Sequence, residues 1–328
     1  PSGFTKKVTD YLLEEYARLG YSAKRTVKGG VIAEIGGEGD PILTMAHVDT
    51  LGAVVAEIKS NGRLRLSPVG GFNANNAEAH NCRVYTYDGQ IYEGTIQLAD
   101  ASLHVNKEYS TTQRTFQSVE VVLDEPVTSK DDVKALGITN GCFVCADPNL
   151  VVTNSGYIKS RFLDDKLSAA ILLGYAKYIR ENNITPLRKV YQHMTVFEEV
   201  GHGACASIPE DVTELLSVDM GCVGDGLECT ERQVSICAKD GHGPYNYQVT
   251  TGLVNAAKKD SIDYAVDIYP FYGSDADAAL SAGKDARHGL IGAGVYASHG
   301  YERSHKDGVV NTFRLLCSYL NGNAPKMD

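Results

Sequence analysis

A chain of 328 residues is long enough for one large core or two domains. Its 43% hydrophobic and 22% charged residues give an ordinary globular composition. The formal net charge of −10, with no basic cluster, argues against nucleic acid as the main partner. No run approaches the roughly 18 apolar residues that a membrane helix needs, and no secretory leader pattern is recognisable.

Pro1-Ser2-Gly3 reads as a turn into a first helix, whose apolar stripe is Val8, Tyr11, Leu12, Tyr16 and Leu19. Pro1 is not methionine, so the natural protein is expected to begin upstream. Residues 31–65 read as strands and turns, among them the apolar run Ile42 to Ala46 that leads into His47-Val48-Asp49. The stretch 66–152 is rich in valine, threonine and tyrosine, with turns at Gly70-Gly71 and Asp88-Gly89 and helical periodicity only at Asp131 to Leu136. From about 153 onward strands and helices alternate: helix Lys166 to Arg180, strand Lys189 to Phe197 and strand Leu215 to Asp219. Strand Val234 to Ala238, helix Tyr245 to Lys258, strand Tyr264 to Tyr269 and helix Asp275 to Ala282 follow, with a last helix from near Val309.

Such alternation predicts a mostly parallel sheet with helices on both faces. The β-rich block interrupts it, so an inserted domain is the economical arrangement. Residues 1–65 and 153–328 are expected to form one discontinuous domain, and 66–152 an inserted all-β domain. The eight dispersed cysteines fit reduced thiols in a cytoplasm better than a disulfide framework. Cys142-Phe143-Val144-Cys145 has redox or zinc spacing but no matching second pair, and its cysteines are expected to be structural.

Several chemical groups fall at the ends of predicted elements. Glu198 and Glu199 close the run Val190 to Phe197, and adjacent side chains on a strand point to opposite sides. One could then bind a metal while the other moves protons. His47 and Asp49 follow a strand, Asp164-Asp165 open a helix, Asp219 ends a strand, and His305 precedes the last helix. An open α/β sheet places ligands at such edges. Imidazole and carboxylate donors together favour a zinc-like or cobalt-like ion over magnesium. The other histidines, His80, His104, His193, His202, His242 and His288, are expected to be structural or surface groups. Gly273-Ser274-Asp275-Ala276-Asp277 precedes a helix and reads as its N-terminal cap, with a pocket border as the alternative that a family resemblance implies.

Taken in order, Ala46-His47-Val48-Asp49, Phe162-Leu163-Asp164-Asp165-Lys166, Phe197-Glu198-Glu199-Val200-Gly201, Val218-Asp219 and His305 resemble the tetrahedral (TET) aminopeptidases. These stand with the glutamyl and deblocking aminopeptidases, some of which carry an endoglucanase label. The resemblance covers nearly the whole chain. It implies a phosphorylase/hydrolase-like three-layer αβα catalytic domain with a small inserted β barrel of PDZ-like kind. It further implies two divalent metal ions per subunit, zinc or cobalt. His47, Asp164 and Asp219 would hold one ion, and Asp164, Glu199 and His305 the other, with Asp164 bridging. Glu198 would be the general base towards a metal-bridging hydroxide, and Asp49 would orient His47. Family members place the last histidine in an Arg-Tyr-X-His-Ser-Pro context, whereas here the segment is Tyr301-Glu302-Arg303-Ser304-His305-Lys306, so His299 competes with His305. Asp165 is expected to brace the helix start.

The activity so implied is cytoplasmic removal of N-terminal residues from short peptides by a homo-oligomer, often a dodecamer in the family. A related deacylase or carboxypeptidase, or a non-catalytic peptide-binding assembly protein, are the alternatives. A glycosidase is disfavoured, because sugar clefts usually stack on aromatics and the chain has no tryptophan.

Overall fold

The computed structural model describes residues 1–326. The chain divides into two compact units: Pro1–Phe4, Thr50–Asn149 and His299–Tyr301 form one, and Thr5–Asp49, Leu150–Ser298 and Glu302 onward form the other.

The larger unit is built on a twelve-stranded sheet. At its centre Ile42–His47 runs parallel to Val190–Thr195 on one side and to Glu214–Val218 on the other, and Glu214–Val218 runs parallel to Arg287–Tyr296. All six residues of Ile42–His47 are buried, as expected for a strand covered on both faces. Its side chains alternate accordingly. Ile42 and Ala46 pack in a core with Leu12 and Tyr16 of helix Lys6–Arg18, Leu172 and Tyr175 of Leu163–Glu181, and Leu315 and Leu316 of Lys306–Asn321. Leu43 and Met45 pack on the other face against Ala276 and Ala279 of helix Asp275–Ser281. This is the expected three-layer αβα architecture. Parallel strands put three carboxyl ends, after His47, Thr195 and Val218, on one edge of the sheet.

The smaller unit is a closed barrel of six strands, in the order Gly52–Ile58, Leu64–Val69, Val119–Leu123, Ile91–Leu98, His80–Tyr85 and Phe143–Ala146. Period-two burial fills it, with Leu64 and Leu66, Cys82 and Val84, Ile96 and Leu98, and Val119 and Val121 all inside. The inserted all-β domain is therefore larger than expected at its start. Residues 52–69 pair antiparallel with each other and within the barrel, not with the parallel sheet, so the boundary falls at Thr50 instead of 66. Cys142 and Cys145 form no disulfide, and neither do the other six cysteines. No helix among the described residues is long and apolar enough to cross a membrane.

Candidate metal and active site

The expected site residues of the larger unit collect at the carboxyl edge of the parallel strands. His47, the last residue of its strand, is 1% exposed. Its Nε2 lies 2.9 Å from Oδ1 of Asp164 and 3.6 Å from Oε2 of Glu198. Its Nδ1 lies 3.0 Å from the carbonyl oxygen and 3.6 Å from Oδ1 of Asp49. Asp49 is fully buried and also accepts the backbone N–H of Glu198 at 3.2 Å. The residue expected to orient His47 thus also holds the amide of the expected base.

Glu198 and Glu199 do not sit on a strand, as the sequence pattern suggested. The strand ends at Thr195, Phe197 takes a left-handed conformation (φ 70°), and the two glutamates lie on a short 3-10 turn, Glu198–Val200. Strand alternation therefore does not set the directions of these two side chains. Donor atoms of His47, Asp164 and Glu199 come within 4.8 Å of one another, and so do those of His47, Asp165 and Asp219.

Asp164 and Asp165 precede the regular part of their helix, and both have non-helical backbone angles. Asp165 braces the site by accepting the His47 N–H at Oδ2, 3.2 Å away. It is also fully buried, and its Oδ1 has no hydrogen-bond partner among the described residues. Asp164 receives two supports that the sequence did not suggest. Its backbone N–H donates to Oε2 of buried Glu302 at 3.1 Å, and its Oδ2 accepts from Ser298 Oγ at 3.1 Å. Glu302 and Ser304 are buried on their short strand and Arg303 is not, a pattern that the polar run Glu302-Arg303-Ser304-His305 does not announce.

Asp219 follows its strand directly, and its N–H donates to Ile291 O at 3.0 Å. Gly292 makes this approach possible, since a Cβ there would lie 1.4 Å from the Asp219 carbonyl oxygen. His305 is not brought into the donor set. Its Nδ1 accepts the Asp307 N–H at 3.1 Å, capping the last helix, and its Nε2 lies 2.8 Å from the Ser155 carbonyl. That helix starts at Lys306, three residues earlier than the sequence suggested, because His305 is its cap.

The electrostatics are those of an anionic cluster around one imidazole. Burial works against the charged form of His47, yet Glu198, Asp164 and Asp219 outweigh it and raise its pKa well above the usual value. Burial, then the Asp219 charge, raises Asp165 well above the carboxylate range. Burial also raises Glu198, with His47 opposing and Asp219 adding to the rise. Asp219 is pushed up to about 7, by burial and then by Asp164. Carboxylates that repel one another in a buried site, beside an imidazole and an oxygen left without a proton donor, fit divalent cations.

Residues 29–315 match the family model of the M42 glutamyl aminopeptidases. The chain is 44% identical over 322 residues to the "Putative aminopeptidase YhfE" of Bacillus subtilis (strain 168), covering 98% of this chain and 93% of that protein. Its fold is similar to that of a TET aminopeptidase from Thaumarchaeota archaeon SCGC AB-539-E09, with a TM-score of 0.88 at 20% identity over 98% and 92% of the two chains. It is also similar to the Pyrococcus horikoshii TET1 peptidase, which can assemble into a tetrahedron or a large octahedral shell (TM-score 0.83, 22% identity, 96% and 93% covered). On the family match and the relative from Bacillus subtilis, the chain belongs to the M42 glutamyl aminopeptidase family and is a peptide hydrolase of the aminopeptidase kind.

Proposed function

We propose that the chain removes N-terminal residues from short peptides at a dinuclear metal site, with Glu198 as general base. The observation that carries this reading is the convergence of His47, Asp164, Asp165, Asp219, Glu198 and Glu199 at the carboxyl edge of three parallel strands. His47, Asp164 and Asp219 would hold one ion, zinc or cobalt, and Asp164 and Glu199 the other, with Asp164 shared. Asp165 would be a further donor to the first. The last imidazole is His305 only if its ring leaves the Ser155 carbonyl. His299 is the competing donor that the sequence offers.

Bound ions would polarise the scissile carbonyl and acidify a water. The chain's own groups do the remaining work. Glu198 takes a proton from the attacking water and returns it to the leaving amine, a role suited to a carboxyl whose pKa burial has raised. Asp49 fixes the His47 ring through Nδ1 and the Glu198 backbone through its amide. Surplus carboxylate around the site would receive the free α-ammonium group of a peptide, which accounts for cutting at the N-terminus. We further propose cytoplasmic self-assembly, with the barrel supplying subunit contacts as the family resemblance implies.

Hydrolysis of aminoacyl-p-nitroanilides by chelator-stripped protein, with zinc or cobalt restored, tests the reading. Metal-dependent release from free but not acetylated amino termini is expected. Release only from acetylated substrates would move the activity to a deacylase using the same donors.

A further inference from the structure

The buried carboxylate of Asp275 holds both ends of the segment that carries Glu198 and Glu199. Asp275 opens helix Asp275–Ser281 and is 3% exposed. One of its oxygens bonds the hydroxyl of Thr195, the last residue of strand Val190–Thr195. The other, Oδ1, accepts the Ala204 N–H at 2.8 Å. The two glutamates lie between these anchor points.

The segment needs outside support. Phe197 and Gly201, on either side of the turn, are left-handed, with φ 70° and 84°. Such a conformation at a phenylalanine persists only where surrounding contacts impose it. Its own backbone bonds are short range, from Gly201 N–H to Glu198 O and from His202 N–H to Phe197 O. Two further ties act beside Asp275: Lys28 donates to the carbonyls of His202 and Gly203, and Asp49 accepts the Glu198 N–H. Gly203 leaves room for Asp275, because a Cβ there would lie 2.1 Å from Oδ1.

The helix bearing Asp275 is itself fixed to the neighbouring strand. The Ala276 N–H donates to Ser217 Oγ at 3.0 Å, two residues before Asp219, and the Asp277 carboxylate reaches back to the Ser274 N–H at 3.0 Å. A carboxylate acting only on its own helix would need neither Thr195 nor Ala204. We propose that Asp275 is a positioning residue, fixing the Glu198–Glu199 turn against the strand that leads to Asp219. This rests on the assignment of Glu198 as base.

Three variants test it. Asp275→Ala removes both bonds, Gly203→Ala drives a methyl into Oδ1, and Asp275→Asn keeps the shape and an acceptor for the Ala204 amide. Hydrogen exchange of the peptide spanning residues 196–206 is read on metal-free protein. Turnover and metal content are read on the loaded enzyme.

Asp275→Ala and Gly203→Ala are expected to speed exchange about tenfold and lower kcat about 100-fold, with KM within about threefold, as small misplacements of catalytic groups do. Asp275→Asn is expected to keep its exchange protection and its kcat within about fivefold. Gly203→Ala decides alone if Asp275→Ala does not fold. Wild-type exchange and kcat in folded Gly203→Ala would overturn the proposal, as would an Asn variant that loses as much kcat as Ala while its exchange stays protected. Normal turnover in metal-loaded Glu198→Gln would instead remove the base assignment, and the exchange data would still decide whether Asp275 holds the turn.

Discussion

Glu302 accepts the backbone N–H of Asp164 at 3.1 Å, so a buried carboxylate fixes the residue whose own carboxylate meets His47. Glu302 also supplies counter-charge to buried Arg161, whose guanidinium pKa burial lowers and Glu302 supports. Removing one charge of a buried pair strands the other. Glu302→Ala is expected to cost about 3 kcal/mol in urea unfolding of metal-free protein. Glu302→Gln keeps the acceptor and is expected to lose less. A loss below about 1 kcal/mol for the alanine variant would show that neither tie matters to the fold.

The first helix is tied to the sheet by a buried polar chain. Tyr16 donates to Gln192 Oε1 at 2.7 Å, and Gln192 Nε2 donates to the Leu172 carbonyl at 2.8 Å. Tyr16→Phe keeps the ring in its core but leaves Gln192 Oε1 without its donor. A loss of about 1–2 kcal/mol is expected from the thermal or urea midpoint. An unchanged midpoint would mean that the amide finds another partner.

His193 gives the fold a pH dependence of its own. Burial, with Lys28 adding repulsion, lowers its imidazole to about 4, while an unfolded imidazole titrates near 6.5. Between these values the unfolded chain binds a proton that the folded one does not. The contribution is therefore complete above about pH 6.5, is lost as pH falls towards 4, and levels off below. Its size is about 3 kcal/mol. With chelator present throughout, the stability of wild type relative to His193→Gln is expected to fall by that amount between pH 7 and pH 4. A difference independent of pH would contradict the assignment.

The last metal donor can be settled by counting ions. His305 accepts from the Asp307 amide and lies against the Ser155 carbonyl, which leaves no ring nitrogen for a metal. His305→Gln is expected to lower the thermal midpoint while keeping the wild-type metal content. Loss of about one ion per chain would restore His305 as a ligand, and the parallel variant His299→Gln tests the competing imidazole.

Legibility in the sequence followed local pattern. His47 and Asp219 were visible because the first ends a fully buried strand and the second directly follows one, and strand ends are where open α/β sheets carry their chemistry. The glutamate pair was visible, but its local structure was not. Phenylalanine favours strands, so nothing in the sequence signals that Phe197 turns left-handed and stops one. The helix pattern from Leu167 onward likewise hid the non-helical backbone at Asp164 and Asp165. Residues 52–69 carry ordinary strand composition, and only long-range pairing assigns them to the barrel. Glu302 and Asp275 act through contacts with residues distant in the chain, which no periodicity reveals.

The most direct measurement is turnover of a free-amino-terminus peptide by Glu198→Gln, with metal content determined on the same sample. Wild-type metal content with kcat lowered about 10²- to 10⁴-fold is the expected result, since that is the scale of a general base. Full turnover with both ions in place would contradict the account at its centre.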